Sequence, residues 1–214
     1  MKMTREQMKD DTREKIITEA IDLFVEKGYN GAQMMEIYKR AGISKKTLYR
    51  YFSSKEDLAL TAERRILSEM MDSINTRIEE TANSGKDAYE RLAEIYKTHL
   101  LGFIMDNPKL FKFTAQFDVN VTGLHEELDS GREFTEYIRD MKDFTGQLII
   151  EGQGDGSIRR DIDPVVTSIT FNNSLMGLAL RIYAREENIS AEQGMGLEMI
   201  GHLIDMFLDY VKAG

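Results

Sequence analysis

Lys45, Lys46, Thr47, Tyr49 and Tyr51 fall within seven residues, with Ser44 just before them and Lys55 just after. Ammonium groups neutralise phosphates. A threonine meets a base edge through its hydroxyl or a thymine through its methyl, and phenolic hydroxyls donate to phosphate oxygens. Gathered on one short stretch, these are the chemistries that contact with duplex DNA requires. Lysines alone do not carry the reading, because a charged face is ordinarily just solvated. The tyrosines between them shift it towards close packing on a nucleic-acid backbone. Lys55 adds a second sign. It falls in the opening turn of a further helical pattern, where a cation opposes the helix dipole at a cost of about 0.3–1 kcal/mol. A phosphate at that helix start welcomes both the ammonium and the unpaired N–H groups.

The elements that position these residues are short. Leu48 and Phe52 are four apart and anchor the helix that carries the cations, while Ser44 is placed to cap it. Before it, Met34, Ile37, Tyr38 and Ala41 share one face of another helix, which begins after Gln33 and ends at Gly42. A helix, a tight turn with glycine and a second helix bearing hydrogen-bonding tips describe a helix-turn-helix DNA reader. Ser53 and Glu56 have capping-box spacing, so the next helix is expected to start at Ser53.

Residues 16–58 resemble the N-terminal DNA-binding region of the TetR family of bacterial transcriptional regulators. The likeness rests on Ala20, Leu23, Phe24, Gly28, Tyr29, Ile37, Ala41, Gly42, Ile43, Ser44, Leu48, Tyr49, Tyr51, Phe52, Ser54, Lys55 and Glu56, all in register. Gln33 departs from the Ser or Thr that usually caps the first motif helix, and Tyr38 from the usual Ala. The resemblance implies a dimer that closes through its last helices. On this reading Lys45 and Lys46 reach base edges or nearby phosphates, and Thr47 meets a base or a thymine methyl. Tyr49, Tyr51 and Lys55 hold the backbone, and Gln33 contributes from the first motif helix. Nothing beyond residue 58 is carried by motif.

Net charge is −9, which argues against a wholesale nucleic-acid binder, but residues 1–55 carry +4 and residues 56–214 carry −13. A basic head on an acidic body suits one end meeting phosphate while the other is repelled. The division expected is therefore a DNA-binding domain over 1–55 and an effector-binding and dimerisation domain over 56–214. Cysteine is absent, no stretch is apolar enough to span a membrane, and the N-terminus lacks a signal-peptide core. A cytoplasmic protein is the expectation. Two prolines and little strand-like alternation favour an all-α fold.

Along the chain, the first residues read as frayed, and Asp11 with Glu14 suggests a helix start running to Gly28. Helical phase persists from Ser53 to about Ala82 without Gly or Pro, a rod joining head to body. Helical patterns follow over 89–104 and, after Asn107–Pro108, over 108–117. Then come a looser stretch at 118–124, one long pattern over 128–149, and GQGDGS at 152–157 as a loop. After Asp163–Pro164 the pattern is apolar nearly all round to Tyr183, and another helix covers 191–212. Gly194, Gly196 and Gly201 there suggest close helix approach. Surplus apolar surface on about 164–185 and 191–212 reads as a homodimer interface forming a four-helix bundle.

Chemistry of other kinds is missing from the pattern. GQGDG lacks the strand and helix of a dinucleotide fingerprint, and His99, His125 and His202 stand apart without metal-ligand spacing. No cofactor, metal or catalytic constellation is expected, which disfavours a helical enzyme or carrier, and the large acidic body disfavours a purely architectural DNA binder. An effector pocket is expected in the body, with His99, Phe103, Phe117, Tyr137, Phe144, Asn172 and Met176 as candidates. Asn172 and Asn173 lie in an apolar helix, where buried amides need partners from a ligand or another subunit. The expected function is a homodimeric, ligand-responsive repressor, released from its operator by a small, largely apolar effector.

Overall fold

The computed structural model describes residues 5–123, 125–185 and 187–214. Among them the fold is all-α, with one isolated antiparallel bridge, Ile158 to Lys212. In order, α1 spans Arg5–Gly31, α2 Met34–Arg40, α3 Lys45–Tyr51 and α4 Lys55–Ala82. Next are α5 (Ala88–Glu94), a π-helical turn (Ile95–Leu100), α6 (Leu101–Asp106), α7 (Pro108–Asn120) and α8 (Asp129–Asp140). The chain ends with α9 (Phe144–Asp155), α10 (Pro164–Arg185), α11 (Glu187–Gln193) and α12 (Glu198–Val211). It forms two compact units, one of residues up to 68 with 112–141, the other of 69–111 with 142–214.

The first unit is built on the apolar stripe of α1. Ile16, Ile17, Ala20, Leu23 and Phe24 are buried with Ile37 and Ala41 of α2, Leu48 of α3, and Phe52, Leu58, Ala59 and Ala62. From α7, Phe113 stacks on Phe24 with ring centroids 5.0 Å apart. Gly28 breaks α1 at φ 71°, ψ 168°. A Cβ there would lie 2.4 Å from the Gln116 side-chain oxygen, so the turn needs glycine for both backbone and space.

The second unit centres on Tyr96, which is fully buried in the π-helical turn. Its ring lies 5.9 Å from Phe144, 5.0 Å from Phe171 and 5.7 Å from Phe207, and Phe171 and Phe207 stack at 3.7 Å. Its hydroxyl meets Thr145 Oγ1 at 2.6 Å and donates to Asn172 Oδ1 at 2.6 Å, while Asn172 Nδ2 donates to Thr145 at 3.2 Å. The half-buried amide thus finds partners inside its own chain. Asn173 is exposed and donates to Ile169 O at 2.8 Å.

Several boundaries differ from the sequence-based expectations. The frayed start falls on residues outside those described, but α1 already runs from Arg5, ahead of the Asp11 start. The cap of α4 is Ser54, whose Oγ accepts from Asp57 N at 3.1 Å; Glu56 accepts instead from the Tyr29 hydroxyl at 3.0 Å. In the stretch read as looser, α7 continues to Asn120, and Leu124 lies outside the described residues. The single pattern over 128–149 is two helices, because Asp143 accepts from Gly146 N at 2.9 Å and starts α9 afresh.

GQGDGS is not all loop: α9 continues through Asp155 and closes on Gly156 at φ 86°. A Cβ at Gly152 would meet Ile158 at 2.6 Å, so that glycine serves packing inside a helix. Gly194, at φ 70°, separates α11 from α12 within the 191–212 pattern and has open space around it, so it turns the chain and marks no close approach. The nearest neighbour of a Cβ at Gly201 is 4.0 Å away, while Gly196 does sit tightly, 2.5 Å from Ser190 Oγ.

Candidate nucleic-acid interface

The turn between α2 and α3 has its backbone hydrogen bonds satisfied. Gly42, at φ 64°, sends its N–H to Lys39 O at 3.1 Å, and Ile43 N–H reaches Tyr38 O at 3.0 Å. This paired closure of a helix end needs a left-handed residue, which is why glycine stands there. Ser44 then caps α3, its Oγ accepting from Thr47 N at 3.1 Å and lying 2.9 Å from Thr47 Oγ1. Leu48 is fully buried, fixing the roll of α3 so that Lys45, Lys46, Tyr49 and Arg50 are exposed, with Thr47 and Tyr51 half-buried.

The exposed cations lie beside aromatic rings. Lys45 Nζ sits 5.8 Å from the Tyr49 ring centroid and Arg50 Cζ 5.3 Å from that of Tyr51. Rings stiffen the cations without neutralising them, so the charge remains available to phosphate. Lys46 makes no hydrogen bond or ion pair among the described residues. Gln33 occupies the position before α2, exposed and making no side-chain cap hydrogen bond.

Lys55 is placed differently. Its ammonium donates to Tyr29 O at 3.0 Å and Ala32 O at 3.5 Å, and it lies 4.4 Å from the Tyr29 ring. It therefore clasps the chain where α1 gives way to α2. Tyr29 in turn donates to Glu56, and burial foremost, then that carboxylate, pushes the phenol well up. The Glu56 carboxyl is held below the usual carboxylate range, first by a hydrogen bond from its own backbone amide. Two further cations, Arg50 on α3 and Arg13 beside its end, were not among the expected contacts. For Arg50 the signal was its position on the exposed side of the reader; for Arg13 on α1, helical spacing alone gave none.

The effector candidates do not form one cluster. Phe117 is buried in the first unit, its ring 6.3 Å from Phe113 and 5.6 Å from Phe134, and Tyr137 belongs to the same unit. His99, Phe103, Phe144, Asn172 and Met176 belong to the second. There Phe144 is buried against Tyr96, Phe103 packs on Phe111 at 6.1 Å, and His99 and Met176 are half-buried. Of these, only Phe144 and Asn172 meet around Tyr96. Among the described residues no group of three His, Cys, Asp or Glu side chains is arranged to hold a metal ion, and no helix is long and apolar enough to cross a membrane.

Comparison with known proteins places this geometry. Residues 16–62 match the family described as bacterial regulatory proteins, tetR family. The fatty acid metabolism regulator protein of Bacillus subtilis is 25% identical over 148 residues, covering 69% of this chain and 71% of that protein. A TetR-family regulator from Mesorhizobium loti superposes with a TM-score of 0.69 at 21% identity, covering 97% of this chain and 96% of the other. The regulator FadR from Bacillus subtilis, solved in complex with stearoyl-CoA, superposes with a TM-score of 0.63 at 18% identity, covering 92% and 98%.

Proposed function

We propose that the chain, whose residues 16–62 match the TetR family of bacterial regulatory proteins, is a DNA-binding transcription regulator and a homodimeric repressor released from its operator by an apolar small molecule. The observation that carries the DNA half is the roll of α3. Leu48 is buried while Lys45, Lys46 and Arg50 face solvent without acidic partners among the described residues. Lys45, Lys46 and Thr47 read base edges, Tyr49, Tyr51 and Lys55 hold the backbone, and Gln33 and Ser44 flank them. Lys55 does so from its clasp on Tyr29, lending charge rather than a free side chain. Residues 1–55 read DNA, and 56–214 take the effector and dimerise in the cytoplasm.

Dimerisation is supported by apolar surface on the last long helices. Val165, Val166 and Ile169 of α10 are 56%, 62% and 55% exposed, and Met206 and Tyr210 of α12 are 68% and 52% exposed. Pairing such faces about a two-fold axis gives a four-helix bundle, and two readers on successive major grooves of one operator stand about 34–36 Å apart, one turn of DNA. For the effector, a fatty acyl chain is the leading candidate because a structural neighbour was solved with stearoyl-CoA. The effector acts through α4, continuous from Lys55 to Ala82, and only if it prefers one of two states.

The test is a fluorescence-anisotropy titration of the full chain against duplex from upstream of its own coding region and against random duplex, at several salt concentrations, with and without stearoyl-CoA. Saturable binding that steepens at low salt, favours the upstream fragment and weakens with acyl-CoA is expected. A monomer in solution that ignores both duplexes in dilute buffer refutes the reading.

A further inference from the structure

The cations of the first unit divide by whether a carboxylate answers them. Lys27 pairs with Glu36 and Arg40 with Glu26, both at 2.6 Å, Arg64 lies 3.5 Å from Glu133, and Arg65 pairs with Glu14. Lys15 of α1 is exposed and makes no hydrogen bond or ion pair among the described residues. Its ammonium lies beside the turn of the reader, 3.7 Å from where a Cβ on Gly42 would stand. Resting on the DNA-binding reading above, we infer that Lys15 is a further DNA contact. From outside the two motif helices it holds a backbone phosphate next to the start of α3.

Ile16 and Ile17 are buried directly after Lys15, which sets the roll of α1 and the direction in which residue 15 leaves it. The turn does not use up the charge. Tyr38 O and Lys39 O accept from the N–H groups of Ile43 and Gly42, and the Lys15 ammonium donates to neither. The negative end of α2 still attracts a cation, which steadies the side chain and leaves its charge whole. Gly42 stands three residues before Lys45, at most about 11 Å of extended chain. That is a reach of about three phosphates along one strand, at roughly 3.4 Å of helix axis each. Lys15 therefore adds its charge to the stretch of backbone that the cations opening α3 approach.

The carboxylates nearest in sequence do not claim it. Glu14 is taken by Arg65 of α4. Asp11 and Glu19, one turn away on either side, form no ion pair with Lys15, and Asp11 is exposed, so water screens it. Glu19 acts on Arg40, which its hydrogen bond to Glu26 foremost, and Glu19 in part, holds above its ordinary pKa. Arg13, two positions before Lys15, shares a cleft with Asp57, Glu127, Asp129 and Glu133, so its charge is opposed where that of Lys15 is not.

The test is a fluorescence-anisotropy titration of the full chain against random duplex and against the fragment upstream of its coding region, at several salt concentrations. Lys15→Gln is expected to weaken both duplexes several-fold and equally, with a salt slope shallower by about one and an unchanged denaturation midpoint. Lys27→Gln removes a lysine from the same helix, but one already paired with Glu36, and is expected to leave the slope as it was. Equal flattening by the two variants overturns the contact, because net charge alone would then explain it. A lower midpoint with an unchanged slope also overturns it, and assigns Lys15 to the end of α2. Lys45→Gln separates this failure from a wider one. If Lys45→Gln weakens binding and Lys15→Gln does not, the contact falls and the reader stands; if the parent chain ignores both duplexes, the two fall together.

Discussion

Glu63 offers a quantitative test of the first unit. It lies on α4 with 1% of its surface exposed, and the partner shown for its carboxyl is Thr114 Oγ1, 3.3 Å away on α7. Burial pushes its pKa up to about 8, against a smaller pull from Thr114, and Asp118 on the same helix adds to the rise. Asp118 is itself raised by burial. An unfolded chain releases the Glu63 proton near 4.5. Between there and about 8 the folded state holds a proton that the unfolded state has lost. Stability therefore falls as pH rises through that window, by about 1.4 kcal/mol per unit and about 5 kcal/mol in all. Glu63→Gln keeps the shape and removes the titration, at about 1–3 kcal/mol for an amide donor left without a partner. The variant is thus expected to be less stable than its parent at pH 5 and more stable at pH 8, the difference swinging by about 3–4 kcal/mol. Urea unfolding followed by circular dichroism at each pH reads the swing, and hydrogen exchange of α7 amides localises it. Parallel stability profiles for the two proteins would show that Glu63 is ionised in the fold, and the reasoning would fall.

Three further outcomes follow from the hydrogen bonds already described. Tyr96→Phe removes the donor to Asn172 in a dry core and is expected to cost about 1–3 kcal/mol in chemical denaturation, with no change in duplex affinity at saturating stability. Ser44→Ala strips the cap from α3 and is expected to lower stability by about 1 kcal/mol, visible as a lower denaturation midpoint. Lys55→Met keeps the stem but frees the carbonyls of Tyr29 and Ala32; a loss of about 1 kcal/mol is expected, together with a salt slope of duplex binding that is shallower by about one.

The reader was legible because its signals are local. Gly42, Ser44 and the Leu48–Phe52 pair each act on neighbours within five residues, so sequence order nearly equals spatial order there. The same holds for Asn107–Pro108 and Asp163–Pro164, which start α7 and α10. Errors arose where a residue answers to something distant. Gly152 looked like loop because its reason, the close approach of Ile158, lies beyond the helix end. Asp143 split an apolar pattern whose phase continues across the break, since side-chain periodicity does not register a cap in mid-run. The effector candidates failed to converge because aromatic residues mark cores in general: Phe117 belongs to one compact unit and Phe144 to the other. The partners that Asn172 finds, Tyr96 and Thr145, lie far away in the sequence, which offers no way to see that they reach it.

The residues read as DNA contacts separate, in the structure, into two kinds. Ser44, Thr47 and Lys55 have partners in their own chain, and each partner belongs to a joint of the reader: the start of α3 or the turn after α1. Lys45, Lys46 and Tyr49 have no such hydrogen bonds among the described residues and are exposed. The separation is what recognition by a seven-residue helix requires. So short a helix is not stable alone, and its direction must come from capping and from Leu48 beneath it. A cation that also held the joint together would have to exchange a protein partner for a phosphate at every binding event. Lys55 alone combines the roles, and it does so with carbonyl partners, which leave its positive charge uncancelled. Under the proposed function, Lys55 contributes a fixed charge common to all sequences, and Lys45 and Lys46, without protein hydrogen bonds to give up, are where base preference is expected.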